Sequence, residues 1–265
     1  RTFNITELPT GVEGQKMNIQ VKVQNEAGLY AESDLLEVTV AGVPSKPTSG
    51  PSEDTSTTSN SVIGVTYTAP DDGGATILSY EVQIDDGEEG DFTTFAGGSS
   101  KNYVSLRAQA SSGIVEGMTY RVRYRARNVN GWGEYSDSTY ILAASVPEAP
   151  TKPLYISSTD TSIELGLSPS VDNNGAPITS HKLYRDAGSL TSSFTEVTGY
   201  DGSSLTYNVT GLTLGTMYRF YYTALNSKGE SDPSGESRYT AGSPPSAPTD
   251  LQVSSTTSSS ITLLD

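Results

Sequence analysis

Apolar and polar residues alternate with a period of two along much of the chain, as expected of strands that bury one face. The stretches before three Asn-x-x-Gly segments carry the pattern most clearly. One face reads Met17, Ile19, Val21 and Val23; a later stretch reads Tyr120, Val122, Tyr124 and Ala126; a third reads Tyr218, Phe220, Tyr222 and Ala224. Shorter rows obey the same rule, with Val62, Val65 and Tyr67 near one strand and Ile163, Leu165 and Leu167 forming another. No stretch keeps a helical period, and Gly or Pro interrupts nearly every long segment. Short strands spaced by turn residues predict an all-β chain built as two-sheet sandwiches.

The pattern also repeats. Asn25 to Gly28, Asn128 to Gly131 and Asn226 to Gly229 mark three copies, each followed by a proline pair: Pro44 and Pro47, Pro147 and Pro150, Pro245 and Pro248. Both markers step by 103 residues and then by 98. Markers that keep register without a gap identify a repeated structural unit.

Residues inside the copies resemble a known family. The turn Ala69-Pro70-Asp71-Asp72-Gly73-Gly74-Ala75-Thr76-Ile77, followed by Tyr80 and Val82, is similar to the loop between the second and third strands of fibronectin type III domains. Asp172-Asn173-Asn174-Gly175-Ala176-Pro177-Ile178 repeats it. Leu212 to Tyr218 resembles the corner whose Tyr closes that fold, and Ala224 to Ser231 resembles its final strand-turn-strand. The resemblance covers essentially the whole chain and implies tandem immunoglobulin-like β-sandwiches in an extended array. Three departures stand out: Tyr67 and Leu167 replace the family's buried Trp, Met17 replaces the corner Tyr in the first copy, and His181 replaces the Tyr of the third strand.

Register between copies predicts the domain organisation. Thr2 to Leu8 matches Thr206 to Leu212, late in the repeat, and Ser260 to Leu263 matches Ser162 to Leu165, early in it. Residues 1–43 are therefore expected to be the C-terminal part of a domain, 44–146 and 147–244 complete domains, and 245–265 the first strands of a further one. A half-sandwich alone would leave sheet edges open, so a longer array is expected in both directions. The proline-bearing links should be extended and semi-rigid, making a stiff rod.

Composition then narrows the chemistry. With 31 acidic and 16 basic side chains, the chain carries a formal charge of −15, which argues against a phosphate-binding surface and hence nucleic acid. It has no cysteine, which removes disulfides, thiolate zinc sites and thiol nucleophiles but does not choose a compartment. No apolar run approaches the roughly 18 residues of a membrane span, so no membrane insertion is expected of this segment.

Each candidate site has a plain structural alternative. His181, the one histidine, replaces a core-facing Tyr and reads as structural rather than catalytic. There is no glycine-rich phosphate loop before a helix and no metal-ligand spacing of His, so no enzyme and no cofactor are expected. The acidic run Asp85-Asp86-Gly87-Glu88-Glu89-Gly90-Asp91 offers oxygen ligands for calcium, but its order is not that of an EF-hand, and a solvated hairpin turn that discourages edge pairing is the better reading.

Three features remain. Arg121, Arg123, Arg125 and Arg127 alternate with a core row and should share one outer face, close to Trp132 and Tyr135. This resembles a degenerate form of the tryptophan–arginine ladder of cytokine receptors, without those receptors' paired cysteines; Glu81 and Gln83 should lie beside it on the next strand. Self-stabilisation and a docking patch both fit. The equivalent row in the third copy reads Arg219, Tyr221, Thr223 and Leu225, with Tyr184 outward on the neighbouring strand, an expected exposed aromatic contact patch. Finally, Asn4-Ile5-Thr6 and Asn208-Val209-Thr210 are N-glycosylation sequons at equivalent positions, with both Asn expected to point outward. No Arg-Gly-Asp tripeptide occurs.

These readings converge on a non-enzymatic structural or adhesive array, a spacer or filament component whose partners are proteins, neighbouring copies of the same array among them. The alternatives are a receptor ectodomain spacer, an accessory module of a large enzyme, or an intracellular cytoskeletal array. An extracellular or cell-surface location is favoured by the sequons, with an intracellular location the alternative.

Overall fold

The computed structural model describes residues 14–99, 101–189, 191–247, 249 and 252–264, and those residues contain antiparallel strands and no helix. The chain divides into two compact units: residues 1–145 with 174–176, and residues 146–173 with 177–265.

In the first unit, β1 (Lys16–Ile19), β2 (Lys22–Gln24), β3 (Tyr30–Glu32) and β4 (Leu36–Thr39) form two ribbons, β1 with β4 and β2 with β3. The row expected to be buried here is covered only in part, with Met17 and Ile19 half-buried. Val21 is 51 % and Val23 62 % exposed, because no facing sheet covers them among the described residues. Alternation sets which way a side chain points; burial needs a second layer.

That second layer is present in the next copy. Its strands are β5 (Ser52–Glu53), β6 (Ile63–Thr66), β7 (Ser79–Ile84), β8 (Thr93–Gly97), β9 (Arg107–Ala110), β10 (Thr119–Asn128), β11 (Gly131–Trp132) and β12 (Thr139–Leu142). One sheet has the order β5-β6-β9 and the other β11-β10-β7-β8, with β12 also pairing with β10. Between them Ile63, Val65 and Tyr67 meet Tyr80, Val82, Ile84, Tyr120, Val122, Tyr124 and Ala126 in one core. The inward row on β6 starts at Ile63 rather than Val62, which restores strict alternation with Val65 and Tyr67. Each such side chain contributes about 1.5–3 kcal/mol by leaving water.

Tyr67, standing where the family has Trp, packs its ring 4.6 Å from Tyr124 and 5.4 Å from Tyr80. Its hydroxyl donates to the Ser105 carbonyl at 2.8 Å, and that of Tyr124 donates to the Thr68 carbonyl at 2.9 Å, so the polar ends of both rings are satisfied. The Tyr120 hydroxyl accepts from Val115 N at 2.7 Å and donates to the Gly113 carbonyl at 3.2 Å. This ties the loop before β10 to its first turn. Gly73 is required in the β6–β7 turn: its φ is +67°, and a Cβ there would strike the Val43 carbonyl oxygen.

In the second unit the strands are β13 (Leu154–Thr159), β14 (Ser162–Gly166), β15 (Ser180–Arg185), β16 (Thr195–Glu196), β17 (Thr206–Thr210), β18 (Met217–Asn226), β19 (Gly229–Glu230) and β20 (Ser237–Thr240). The sheets again read β13-β14-β17 and β16-β15-β18-β19, with β20 on β18. Ile163, Leu165, Leu167, Leu183, Val209, Leu212, Tyr218, Phe220 and Tyr222 fill the core. Tyr218 accepts from Thr213 N at 3.0 Å, repeating the corner of Tyr120. Beyond it, β21 (Gln252–Thr256) pairs with β22 (Ile261–Leu264). The pairing slips by one residue between Val253 and Ser255, as β13–β14 slips between Tyr155 and Ser157.

Candidate functional site

The outer face of β10 is set by its alternation: Tyr120, Val122, Tyr124 and Ala126 enter the core, so Arg121, Arg123, Arg125 and Arg127 stand on the opposite side, each half-buried. They do not form an open cationic row. Arg121 lies 5.0 Å and Arg123 3.9 Å from the Phe92 ring; Arg123 lies 4.1 Å and Arg125 4.3 Å from Tyr135; Arg125 lies 4.8 Å and Arg127 5.4 Å from Trp132. Cations and rings therefore alternate without interruption from Arg121 to Arg127. Each contact is worth about 0.5–2 kcal/mol, depending on how dry it is.

Acceptors on the neighbouring strand complete the ladder. Register pairs Arg125 with Glu81 and Arg123 with Gln83. Arg125 Nη2 is 2.6 Å and Nε 2.7 Å from Glu81 Oε2, which also accepts from the Tyr135 hydroxyl at 2.8 Å. Thr94 donates to the other Glu81 oxygen at 2.7 Å. Arg123 donates twice to Gln83 Oε1, at 3.0 and 2.8 Å, and Arg127 donates to Asn102 Oδ1 at 2.7 Å. Burial opposes ionisation of Glu81, but bonds from Thr94, Tyr135 and Arg125 outweigh it and hold the carboxyl below its ordinary value. Burial and the bond to Glu81 push the Tyr135 hydroxyl up to about 12.

The bottom rung corrects the reading of the acidic turn. Asp85 is buried rather than solvated: Arg121 N donates to its Oδ1 at 2.8 Å and Arg121 Nε to its Oδ2 at 2.7 Å. Asp86 accepts from the Glu88 and Gly90 amides at 2.9 and 3.0 Å, folding the turn back on itself. Asp186 repeats the clasp in the second unit. Arg219 Nε sits 2.7 Å from its Oδ2 and Arg219 N 3.0 Å from its Oδ1. Burial raises the Asp186 carboxyl, and the stronger pull of Arg219 and of backbone amides leaves it below its ordinary value. The turn motif disguised this role, although equal spacing of Asp85 and Asp186 from the hairpins was available as a signal.

The corresponding face of β18 has a different chemistry. Tyr184 and Tyr221 stack with centroids 4.7 Å apart and planes 19° from parallel, and Phe194 meets Tyr221 edge-on at 4.6 Å. Arg219 underlies Phe194 at 4.6 Å. Tyr184, Tyr221 and Leu225 are half-buried, less open than a fully exposed patch, because the rings cover one another. Glu230 accepts from the hydroxyls of Tyr184 and Thr223 at 3.1 and 2.7 Å and from Lys182 at 2.9 Å. Burial of the Tyr184 ring and its bond to Glu230 raise that hydroxyl's pKa. Glu230 stands at the repeat position of Trp132, Thr223 at that of Arg125, and Tyr221 at that of Arg123. One structural position thus carries an ionic ladder in one copy and an aromatic stack in the other. Phe92 and Phe194 were not anticipated from the alternation, since both lie in the connection after the strand next to the row.

His181 faces Tyr222 at 5.6 Å and its Nδ1 lies 3.2 Å from the Gly202 carbonyl, so its ring packs between β18 and the loop before β17. Asn208 is exposed on β17, an edge strand, while the following Val209 is buried. Asn4 lies outside the described residues.

Comparison with known proteins agrees with this architecture. The family model for the fibronectin type III domain matches residues 45–141 and 148–240, more than two-thirds of the chain. The chain is 29 % identical over 249 residues to a Tyrosine-protein phosphatase Lar-like of Caenorhabditis elegans, covering 88 % of this chain and 11 % of that protein. It is 28 % identical over 225 residues to the human Fibronectin type-III domain-containing protein 3A, covering 82 % of this chain and 18 % of that one. It therefore spans less than a fifth of either relative. A solved structure of the chicken CNTN1 FN1-FN3 domains matches with a TM-score of 0.47 and 15 % identity, over 84 % of this chain and 76 % of that one. Tandem sandwiches with paired tyrosine corners, matched twice by the same family model, make this chain a member of the fibronectin type III family.

Proposed function

We propose that this segment is a non-enzymatic structural or adhesive array, a spacer that makes protein–protein contacts through the outer faces of its sheets. The observation that carries the reading is the contrast between copies: equivalent cores support unlike outer faces. In the ladder of Arg121, Arg123, Arg125, Arg127 and Trp132, two arginines are ion-paired internally, with Asp85 and Glu81, and all four stack on rings, which fits an internal stabiliser better than a docking patch. The stack of Tyr184 and Tyr221, flanked by Leu225, offers half-buried aromatic area of the kind that anchors interfaces. The partner is a protein, with neighbouring copies of the array the first candidate and a filament one form that the assembly would take. The exposed sequon at Asn208 supports an extracellular or surface location, with Asn4 at the matching repeat position. Sedimentation velocity over a concentration series tests the reading. Association that disappears in Tyr184→Ser/Tyr221→Ser while the fold is retained supports it; association unchanged by that pair removes it.

A second reading is a spacer or accessory region of a larger enzyme or receptor. The observation in its favour is that the chain matches 11 % of a protein named as a tyrosine phosphatase. A catalytic or membrane-anchoring segment in the flanking sequence of the same gene distinguishes the two.

A further inference from the structure

The two outer faces can be superposed position by position, and the comparison identifies the chemistry of a partner for the aromatic one. In the first unit, the Arg123 guanidinium is sandwiched between Phe92 and Tyr135, at 3.9 and 4.1 Å, and is held by the Gln83 carbonyl oxygen. In the second unit Phe194 corresponds to Phe92, but Tyr221 replaces the arginine, Tyr184 replaces the glutamine and Pro233 replaces the second ring. One ring of the sandwich, Phe194, is retained; the second ring and the guanidinium between them are not, and the half-buried rings of Tyr184 and Tyr221 are the aromatic surface at that rung.

Charge on the same face favours a cation. Lys182 is matched by Glu230 at 2.9 Å, and Arg219 by Asp186 at 2.7 Å, with Glu236 a further 3.6 Å from Arg219. Glu196 lies directly across the strand pair from Tyr184 and is exposed, without an ion pair among the described residues. The face therefore presents aromatic rings beside an exposed carboxylate, Glu196, which acts on Lys182 electrostatically while the Lys182 ion pair goes to Glu230. We infer that the Tyr184–Tyr221 face binds an arginine-bearing segment of a partner protein, whose guanidinium stacks on the exposed ring surface and pairs with Glu196. The inference rests on the face being a contact surface, as proposed above, and adds the chemistry of what it contacts. An arginine suits the site better than a lysine, because a planar guanidinium stacks on a ring while it donates to a carboxylate.

The test uses the full chain with tyrosine ring carbons labelled, followed by NMR during titration with the capped tripeptide Gly-Arg-Gly. Gly-norleucine-Gly and Gly-Glu-Gly serve as comparison probes. Saturable shifts of the Tyr184 and Tyr221 rings with the arginine peptide, absent with the other two, are expected. Tyr221→Arg places at this rung the residue that the sister copy already carries, so it should fold, fill the face internally and abolish the shifts. Glu196→Gln should weaken binding by about two- to fivefold, the effect of one exposed ion pair. Tyr184→Gln, which matches Gln83 of the sister copy, is the second variant should Tyr221→Arg disturb the fold, and it should lower the shifts as well. Equal shifts with the norleucine peptide, no shifts with the arginine peptide, or shifts undiminished in both tyrosine variants would overturn the assignment. If Tyr184→Ser/Tyr221→Ser still abolishes association in that event, the contact surface stands and only its partner chemistry falls.

Discussion

Replacing Glu81 by alanine is the sharpest probe of the ladder. The carboxylate accepts from Arg125 at 2.6 and 2.7 Å, from Tyr135 at 2.8 Å and from Thr94 at 2.7 Å. Its side chain is only 9 % exposed, whereas that of Arg125 is 26 % exposed. Breaking a fully buried ion pair costs about 3–5 kcal/mol, because the remaining charge keeps its desolvation penalty. Water reaching Arg125 and Thr94 recovers part of that, leaving a loss of about 2–4 kcal/mol. With about 1–1.5 kcal/mol per molar urea for a domain this size, the midpoint should fall by about 2 M. The chain has one tryptophan, Trp132, and it stacks in the ladder, so its fluorescence follows this domain alone in the intact chain. Glu134→Ala, an exposed neighbour, should change stability by less than about 0.5 kcal/mol. A Glu81→Ala midpoint within about 0.5 M of the unmodified chain would refute the view that the ladder is a stabilising element.

Other expected outcomes follow from the same geometry. Asp186→Asn should lower the calorimetric transition of the second unit by roughly 10–20 °C, since it leaves Arg219 half-buried with only the more distant Glu236 carboxylate, at about 3 kcal/mol. Glu81, Asp186 and Glu230 all ionise below their ordinary values in the folded chain. Their contribution is complete above the unfolded carboxyl range and is lost as pH falls through the folded values, so urea midpoints should drop progressively below about pH 4.5. Tyr135 has the opposite sign: its folded value of about 12 exceeds the ordinary 10.0, so stability monitored at Trp132 should fall between those two pH values. Tyr120→Phe removes an accepted and a donated bond, and should cost about 1–2 kcal/mol in chemical denaturation. Expression through a eukaryotic secretory pathway should add a glycan at Asn208, seen as a mass shift that Asn208→Gln abolishes.

Much of the fold is visible in the chain because β structure has a strict period. The long strands β10 and β18 declare their inward rows, and turn residues punctuate them at fixed spacing. Val62 shows the limit of that reasoning: the pattern near a short strand leaves a one-residue ambiguity, and packing of Ile63 against the facing sheet decides it. Val21 and Val23 show another limit, since a strand pattern states direction but not whether a second layer arrives.

The candidate site divides similarly. The outward arginines and Tyr221 follow from alternation, and Tyr184 from the neighbouring strand. What they touch depends on register between strands far apart in sequence. Glu81 and Gln83 are legible as neighbours of the arginine row, but which arginine each one meets is set by the pairing of β7 with β10, and only the path of the connection after β7 brings Phe92 over Arg123. Asp85 was hidden for a related reason, since an aspartate in a glycine-rich turn has an ordinary local explanation.

The claim on which the account turns is that the tyrosine face, and not the arginine ladder, makes the contacts. Side-chain footprinting of the chain at low and high concentration tests it directly, with Tyr140, 62 % exposed, as the internal reference. Tyr184 and Tyr221 should become protected from modification as the chain associates, while Tyr135, Trp132 and Tyr140 keep their starting reactivity. Protection confined to Trp132 and Tyr135, with Tyr184 and Tyr221 unchanged, would contradict it.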